Sequence, residues 1–197
     1  MRHGVVAFLD VLGYKGIWKR DNVDEDVVIK KMSSFAEEYK PSMKTLFQGV
    51  RKLDADIEVI SLSDSIVIMS NHKNKALQHI QLDGLLEATI IASGFAATQL
   101  LEIHPYMTCR GCITIGSFEY DKAHAIIAGK AIDEAASLSE IAEGPFIWLA
   151  PAACDIVKKR TSEPSSLHLF VASIPTKYGT IDTTRVRLAP ITPHEHC

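Results

Sequence analysis

The sequence predicts an α+β fold, a β-α-β-β-α-β core with a C-terminal extension, and three features carry that prediction. Residues 5–9 are a short apolar run with a turn glycine soon after it, at Gly13. Residues 57–62 and 65–69 are two β-rich runs separated only by Ser63 and Asp64, the spacing of a tight hairpin. A long segment of helical character follows each of the first and third strands. A sheet with helices on one face satisfies that order.

Taken in order, residues 5–9 form a buried strand that leaves Asp10 at its end. Val28, Met32, Phe35 and Tyr39 then recur at helical spacing. Pro41 has no amide hydrogen and is expected to end or kink that helix before residues 43–47 continue it. The hairpin places Asp64 at its turn. A helix is expected from about residue 75 to about residue 102, with Pro105 marking its end. Residues 107–115 read as a strand closed by Gly116, and 118–127 as a return strand. A helix over 131–141, a strand over 146–149, a helix over 151–159 and strands over 167–172 and 185–188 complete the chain. The core order is that of a ferredoxin-like fold. With no repeat or linker, and with 160–166 read as a surface connection, residues 1–197 are expected to form one domain.

Composition bounds the function. The chain is 47% apolar and 23% charged, ordinary for a globular protein. A net charge of -3 argues against a broad basic surface, so neither nucleic acid nor membrane is expected as a partner. Residues 85–101 are strongly apolar but contain Glu87 and Gln99, which suits a buried helix better than a membrane span. The apolar run before Asp10 is too short for a signal peptide, and the cytoplasm is the expected location. Cys109 and Cys112 lie in a strand, where odd and even positions face opposite sides, so they are expected to be core thiols and not zinc ligands. The tail from His194 to Cys197 is expected to fray.

The chemistry concentrates in two places. Residues 8–14 put a carboxylate, Asp10, at a strand end, followed by Gly13 and Tyr14. A hard oxygen ligand there suits Mg²⁺ or Mn²⁺, and a glycine turn lets backbone amides approach phosphate oxygens. Alone, the segment reads better as a turn that Asp10 caps and Gly13 permits. Asp64 changes that, because the hairpin turn can lie beside the end of the first strand, and two neighbouring carboxylates repel unless a cation sits between them. A solvated turn aspartate is the plain alternative.

These residues resemble a family. Phe8-Leu9-Asp10-Val11-Leu12-Gly13-Tyr14 is similar to the strand-end motif Phe-x-Asp-Ile/Val-x-Gly-Phe/Tyr of class III nucleotide cyclases, whose second metal aspartate occupies a β-hairpin, as Asp64 does. The family's glycine before that aspartate is here Ser63. Residues 110–116 resemble its Arg-Val/Gly-x-Ile/Val-x-x-Gly strand, and residues 129–138 its helix start. The resemblance implies two Mg²⁺ or Mn²⁺ ions per site on Asp10, Val11 and Asp64, with Leu12, Gly13, Tyr14 and Arg110 on the triphosphate. The departures are informative. Where purine cyclases place a lysine and a polar residue that read the base, this chain has Ile60 and Ile126; neither can make those hydrogen bonds, which argues for a different base. Asp133 and Ser137 replace the family's asparagine and arginine.

Residues 129–138, with Glu134-Ala135, resemble the pyrimidine cyclases of bacterial Pycsar antiphage systems more closely. That branch implies UTP as substrate ahead of CTP, a homodimer with sites at the subunit interface, and a separate effector protein that senses the cyclic nucleotide. A nucleotide-binding domain without turnover is the competing reading, motivated by Asp133 and Ser137.

Overall fold

The computed structural model describes residues 1–14, 17, 23–49, 53–78, 81–102, 107–121, 123–124, 126–159 and 169–186. The elements are β1 (Arg2–Leu12), α1 (Glu25–Gly49), β2 (Ala55–Leu62), β3 (Ser65–His72), α2 (Leu82–Leu101), β4 (Thr108–Asp121), β5 (Ile126–Ala128), α3 (Lys130–Ser139), β6 (Ile147–Leu149), α4 (Pro151–Lys159), β7 (Leu169–Thr176) and β8 (Gly179–Val186). The sheet runs β2-β3-β1-β4-β6-β8-β7, with β5 paired to β4. Its first four strands are antiparallel neighbours in the ferredoxin-like order, and β1 lies between β3 and β4. This central position brings both ends of the chemistry-bearing sequence to β1.

Alternation along β1 divides the interior. Val5, Ala7, Leu9 and Val11 join the large core beneath α1, α2 and α4. Val6 and Phe8 pack on the opposite face with Val67, Phe118 and the buried side of α3. The same alternation places Asp10 on the α3 side of the sheet. Helix α1 contributes a stripe of Val28, Met32, Phe35, Tyr39, Met43 and Phe47, all buried. The Tyr39 hydroxyl donates to the carbonyl of Ala92 and so ties α1 to α2. Helix α2 is long and apolar enough to cross a membrane, yet 67% of its most apolar window is buried inside this fold.

Several boundaries differ from the sequence reading. Helix α1 runs unbroken through Pro41. Pro41 and Glu37 are exposed, so the carbonyl that proline leaves unbonded faces water. Helix α2 starts at Leu82 and not near residue 75, because Lys75–Leu77 forms a separate 3₁₀ turn, capped by the Asn74 side chain accepting from the Ala76 amide at 3.0 Å. Strand β4 does not close at Gly116; it continues to Asp121, and only Ile126–Ala128 returns along it. Gly116 is required for helix approach: a Cβ there would stand 3.3 Å from the Cβ of Ala131 in α3. Strand β8 begins at Gly179, well before residue 185. Residues 160–166 and 194–197 lie outside the described residues.

Gly111 marks another close approach, since a Cβ there would lie 2.5 Å from the Phe8 carbonyl oxygen and 2.6 Å from Leu9 Cδ2. Both contacts belong to the central strand. Gly111→Ala is therefore expected to destabilise the protein by about 3 kcal/mol or more through overpacking, read as a lowered midpoint in chemical denaturation. An unchanged midpoint would mean that the β1–β4 spacing is looser than these distances.

Candidate functional site

Strand register assembles the site. Asp10 stands opposite Ser65 on one side and Arg110 on the other. The Val11 amide donates to the Asp64 carbonyl at 2.7 Å, which fixes the hairpin turn against the end of β1. Three residues separated by up to 100 positions thus meet at one end of the sheet.

Arg110 and Asp10 are in direct contact. Nε and Nη2 of Arg110 both lie 2.8 Å from Asp10 Oδ2, and Nη1 donates to the Ala142 carbonyl at 3.1 Å. The two side chains are only 20% and 21% exposed, so the pair is screened less than a surface ion pair. Asp64 is half-buried, and its carboxylate makes no hydrogen bond or ion pair with the described residues. Gly13, beyond Leu12, adopts a φ of 86°, in the left-handed region, and turns the chain away from the sheet. Tyr14 packs against the large core, and its carbonyl accepts from the Ile17 amide at 3.1 Å. A helix directly after Gly13 would fall on residues 15, 16 and 18–22, outside the described residues.

The other sequence candidates lie elsewhere. Ile60 is half-buried on β2, opposite Val67, and joins the smaller cluster that holds Phe8. Ile126 is 57% exposed and pairs with Asp121 at the far end of β4, about 35 Å of strand from Arg110. Asp133 and Ser137 are on the exposed side of α3, while Ala131, Ile132, Ala135 and Ser139 face inward. One chain brings Asp10, Val11, Asp64 and Arg110 together, and holds Ile126 apart from them.

Two contacts were not read from sequence. The Ala142 carbonyl, just beyond α3, anchors the Arg110 guanidinium. Glu134 Oε2 accepts the buried Thr114 hydroxyl at 2.8 Å and ties α3 to β4. The only sequence sign of that tie was Glu134 within the motif of residues 129–138. Cys109 belongs to the large core and Cys112 to a separate cluster with Trp148, so the two thiols face opposite sides as expected. Burial pushes the Cys109 thiol up to about 12, and the neighbouring Asp10 adds to the shift. Burial likewise raises Cys112, with Glu134 adding. Neither is poised as a thiolate ligand or nucleophile.

Ser63, where the motif has glycine, has a φ of 52°. A side chain in the left-handed region costs about 1 kcal/mol, whereas glycine loses more entropy on folding. Ser63→Gly is expected to raise stability by about 0.5 kcal/mol, measured by denaturant titration; a fall in stability would show that the Ser63 side chain supports the turn.

Among the described residues no group of three or more His, Cys, Asp or Glu side chains is arranged to hold a metal ion. The site offers two carboxylates. That is the pattern for Mg²⁺ carried in with a nucleotide, which uses one or two carboxylates together with substrate phosphates in place of an all-protein cage.

No protein-family model and no curated protein matches the sequence. Solved structures do. The chain is similar to the adenylyl cyclase CyaB from P. aeruginosa, with a TM-score of 0.59 at 10% identity over 96% of each chain. It is similar to the guanylyl cyclase domain of the RhoGC fusion protein from the aquatic fungus Blastocladiella emersonii, with a TM-score of 0.58 at 10% identity over 94% of each chain. An adenylate cyclase from Trypanosoma brucei matches with a TM-score of 0.54 at 11% identity, over 94% of this chain and 90% of that one. The chain has the fold of the class III nucleotide cyclase catalytic domain. At these identities the likeness defines the fold, and function rests on the site.

Proposed function

We propose that this domain is a nucleotide cyclase that converts UTP to 3′,5′-cyclic UMP and pyrophosphate. The observation that carries the reading is the meeting of Asp10, Asp64 and Arg110 at one end of a cyclase-type sheet. Asp10, Val11 and Asp64 would hold Mg²⁺ or Mn²⁺, two ions per site. Bound there, such ions supply charge neutralisation on the phosphates and acidify the ribose 3′-hydroxyl. Arg110 presents fixed positive charge to the β- and γ-phosphates, and the turn amides of Leu12, Gly13 and Tyr14 add donors beside it. The 3′-hydroxyl gives its proton to solvent, its oxygen attacks the α-phosphorus in line, the bond to pyrophosphate breaks, and no protein nucleophile is needed.

Base choice rests on Ile60 and Ile126, whose side chains offer no hydrogen bond to a purine edge. Because Ile126 is remote from Asp10 within one chain, and Asp133 and Ser137 face solvent, these residues would complete a site supplied by a second copy. Exposed Leu62 and Ile126, with half-buried Phe8 and Ile60, suit such a homodimer. The cyclic product would act through a separate effector protein, in keeping with the resemblance to antiphage cyclases. The test is mass spectrometry of the purified protein given Mn²⁺ and each of the four ribonucleoside triphosphates separately. Cyclic UMP is the expected product. Cyclic CMP, AMP or GMP would correct the base alone, and nucleotide binding without product would make the domain a sensor. Sedimentation of the active species is expected to give a dimer, and a monomer that turns over would refute the shared site.

A further inference from the structure

Arg110 does more than wait for phosphate. Two of its N–H groups converge on a single carboxylate oxygen, Oδ2 of Asp10, at 2.8 Å each, while a third is held by the Ala142 carbonyl. The charge of the Asp10 carboxylate is therefore already balanced by the chain's own guanidinium, although both bonds fall on Oδ2 and Oδ1 has no partner among the described residues. A divalent ion arriving alone must share or displace a partly buried, doubly hydrogen-bonded ion pair, and it sets its charge beside Arg110 without a compensating anion. An ion arriving with a triphosphate meets a different balance. The cation takes Asp10, and the phosphates take the displaced guanidinium, so both charges remain paired.

We propose that the Asp10–Arg110 pair is a counter-ion lock that makes divalent-ion and nucleotide binding mutually dependent. The inference rests on the nucleotide-and-metal reading of this site, but the lock itself is tested without catalysis. Free Mn²⁺ binds weakly to the resting protein, and nucleotide strengthens it by releasing Arg110. By linkage, metal strengthens nucleotide binding by the same factor, in the range of roughly 5–150-fold typical of coupled sites.

The experiment is calorimetric titration of Mn²⁺ alone into the wild-type protein, Arg110→Gln and Arg110→Lys, followed by titration of 3′-deoxy-UTP, which lacks the attacking hydroxyl, with and without Mn²⁺. Arg110→Gln is expected to bind Mn²⁺ alone about tenfold more tightly than wild type and to lose most of the coupling. Arg110→Lys should fall between them, since a single ammonium cannot cover Oδ2 with two converging bonds. The double variant Asp10→Asn with Arg110→Gln should lose the gain, placing it on Asp10. Unchanged or weaker Mn²⁺ binding in folded Arg110→Gln would overturn the lock, as would a gain that survives in the double variant. Cyclic nucleotide formation by the wild type is read separately: its absence alongside tighter Mn²⁺ binding in Arg110→Gln would sink the cyclase reading and leave the lock standing.

Discussion

Asp10→Asn is expected to cut turnover by at least about a thousandfold, roughly 4 kcal/mol of transition-state stabilisation, while leaving the protein folded. The substitution keeps the shape of the side chain and one acceptor oxygen for Arg110. It removes the charge that would hold a cation. Because Arg110 and Asp10 are only 20% and 21% exposed, weakening their pair should cost about 1–3 kcal/mol of stability, so activity is compared only on protein shown to be folded. Circular dichroism and unfolding midpoints measure the fold, and product formation measures the activity. Asp64→Asn should behave alike, since its carboxylate has no partner among the described residues whose loss would disturb the turn. Retained turnover in a well-folded Asp10→Asn protein would remove metal ligation by Asp10 from the mechanism.

The order of the core strands and the place of Asp64 at a hairpin turn were legible because they depend on local signals: an apolar run, a two-residue turn, a helical stripe. Asp10 was expected at the end of a strand over 5–9, whereas β1 continues through it to Leu12. Misplaced boundaries share a cause. Gly116 looks like a strand terminator, yet it sits opposite Gly4 in a continuing ladder, and its lack of a side chain serves the approach of Ala131. Pro41 looks like a helix breaker, yet it stands on the water-facing side of a helix whose other side is held by Tyr39, Met43 and Phe47. In both cases tertiary packing overrides a local preference. The Asp10–Arg110 contact was out of reach for another reason. Adjacency of β1 and β4 follows from the ferredoxin-like order, but register does not, and a slip of one residue would place Arg110 on the opposite face. Eleven consecutive pairs from Arg2–Phe118 to Leu12–Thr108 set that register.

The second large effect is expected in base preference. Ile60 sits half-buried on β2, four residues before Asp64, amid Phe8, Val67 and Val6, where it offers contact area without a hydrogen-bond partner. A pocket that selects by apolar fit discriminates by about 10–200-fold, whereas one that reads a base by hydrogen bonds rejects analogues far more strongly, by about 10⁴ or more. The wild-type preference for UTP over ATP, as a ratio of kcat/KM, should therefore lie near a hundredfold. Ile60→Lys introduces a long donor at the position where purine cyclases carry one, and the half-exposed edge of β2 lets its stem lie along Phe8 while the ammonium reaches outward. The variant should lower kcat/KM for UTP about tenfold and raise that for ATP or GTP about as much, shown by competition between labelled triphosphates. If Ile60→Lys folds and lowers all four substrates equally, Ile60 shapes the subunit contact and not the base pocket. If the wild type already prefers ATP or GTP, the purine edge is read by residues other than Ile60 and Ile126, and the pyrimidine assignment fails while the two aspartates and Arg110 keep their roles.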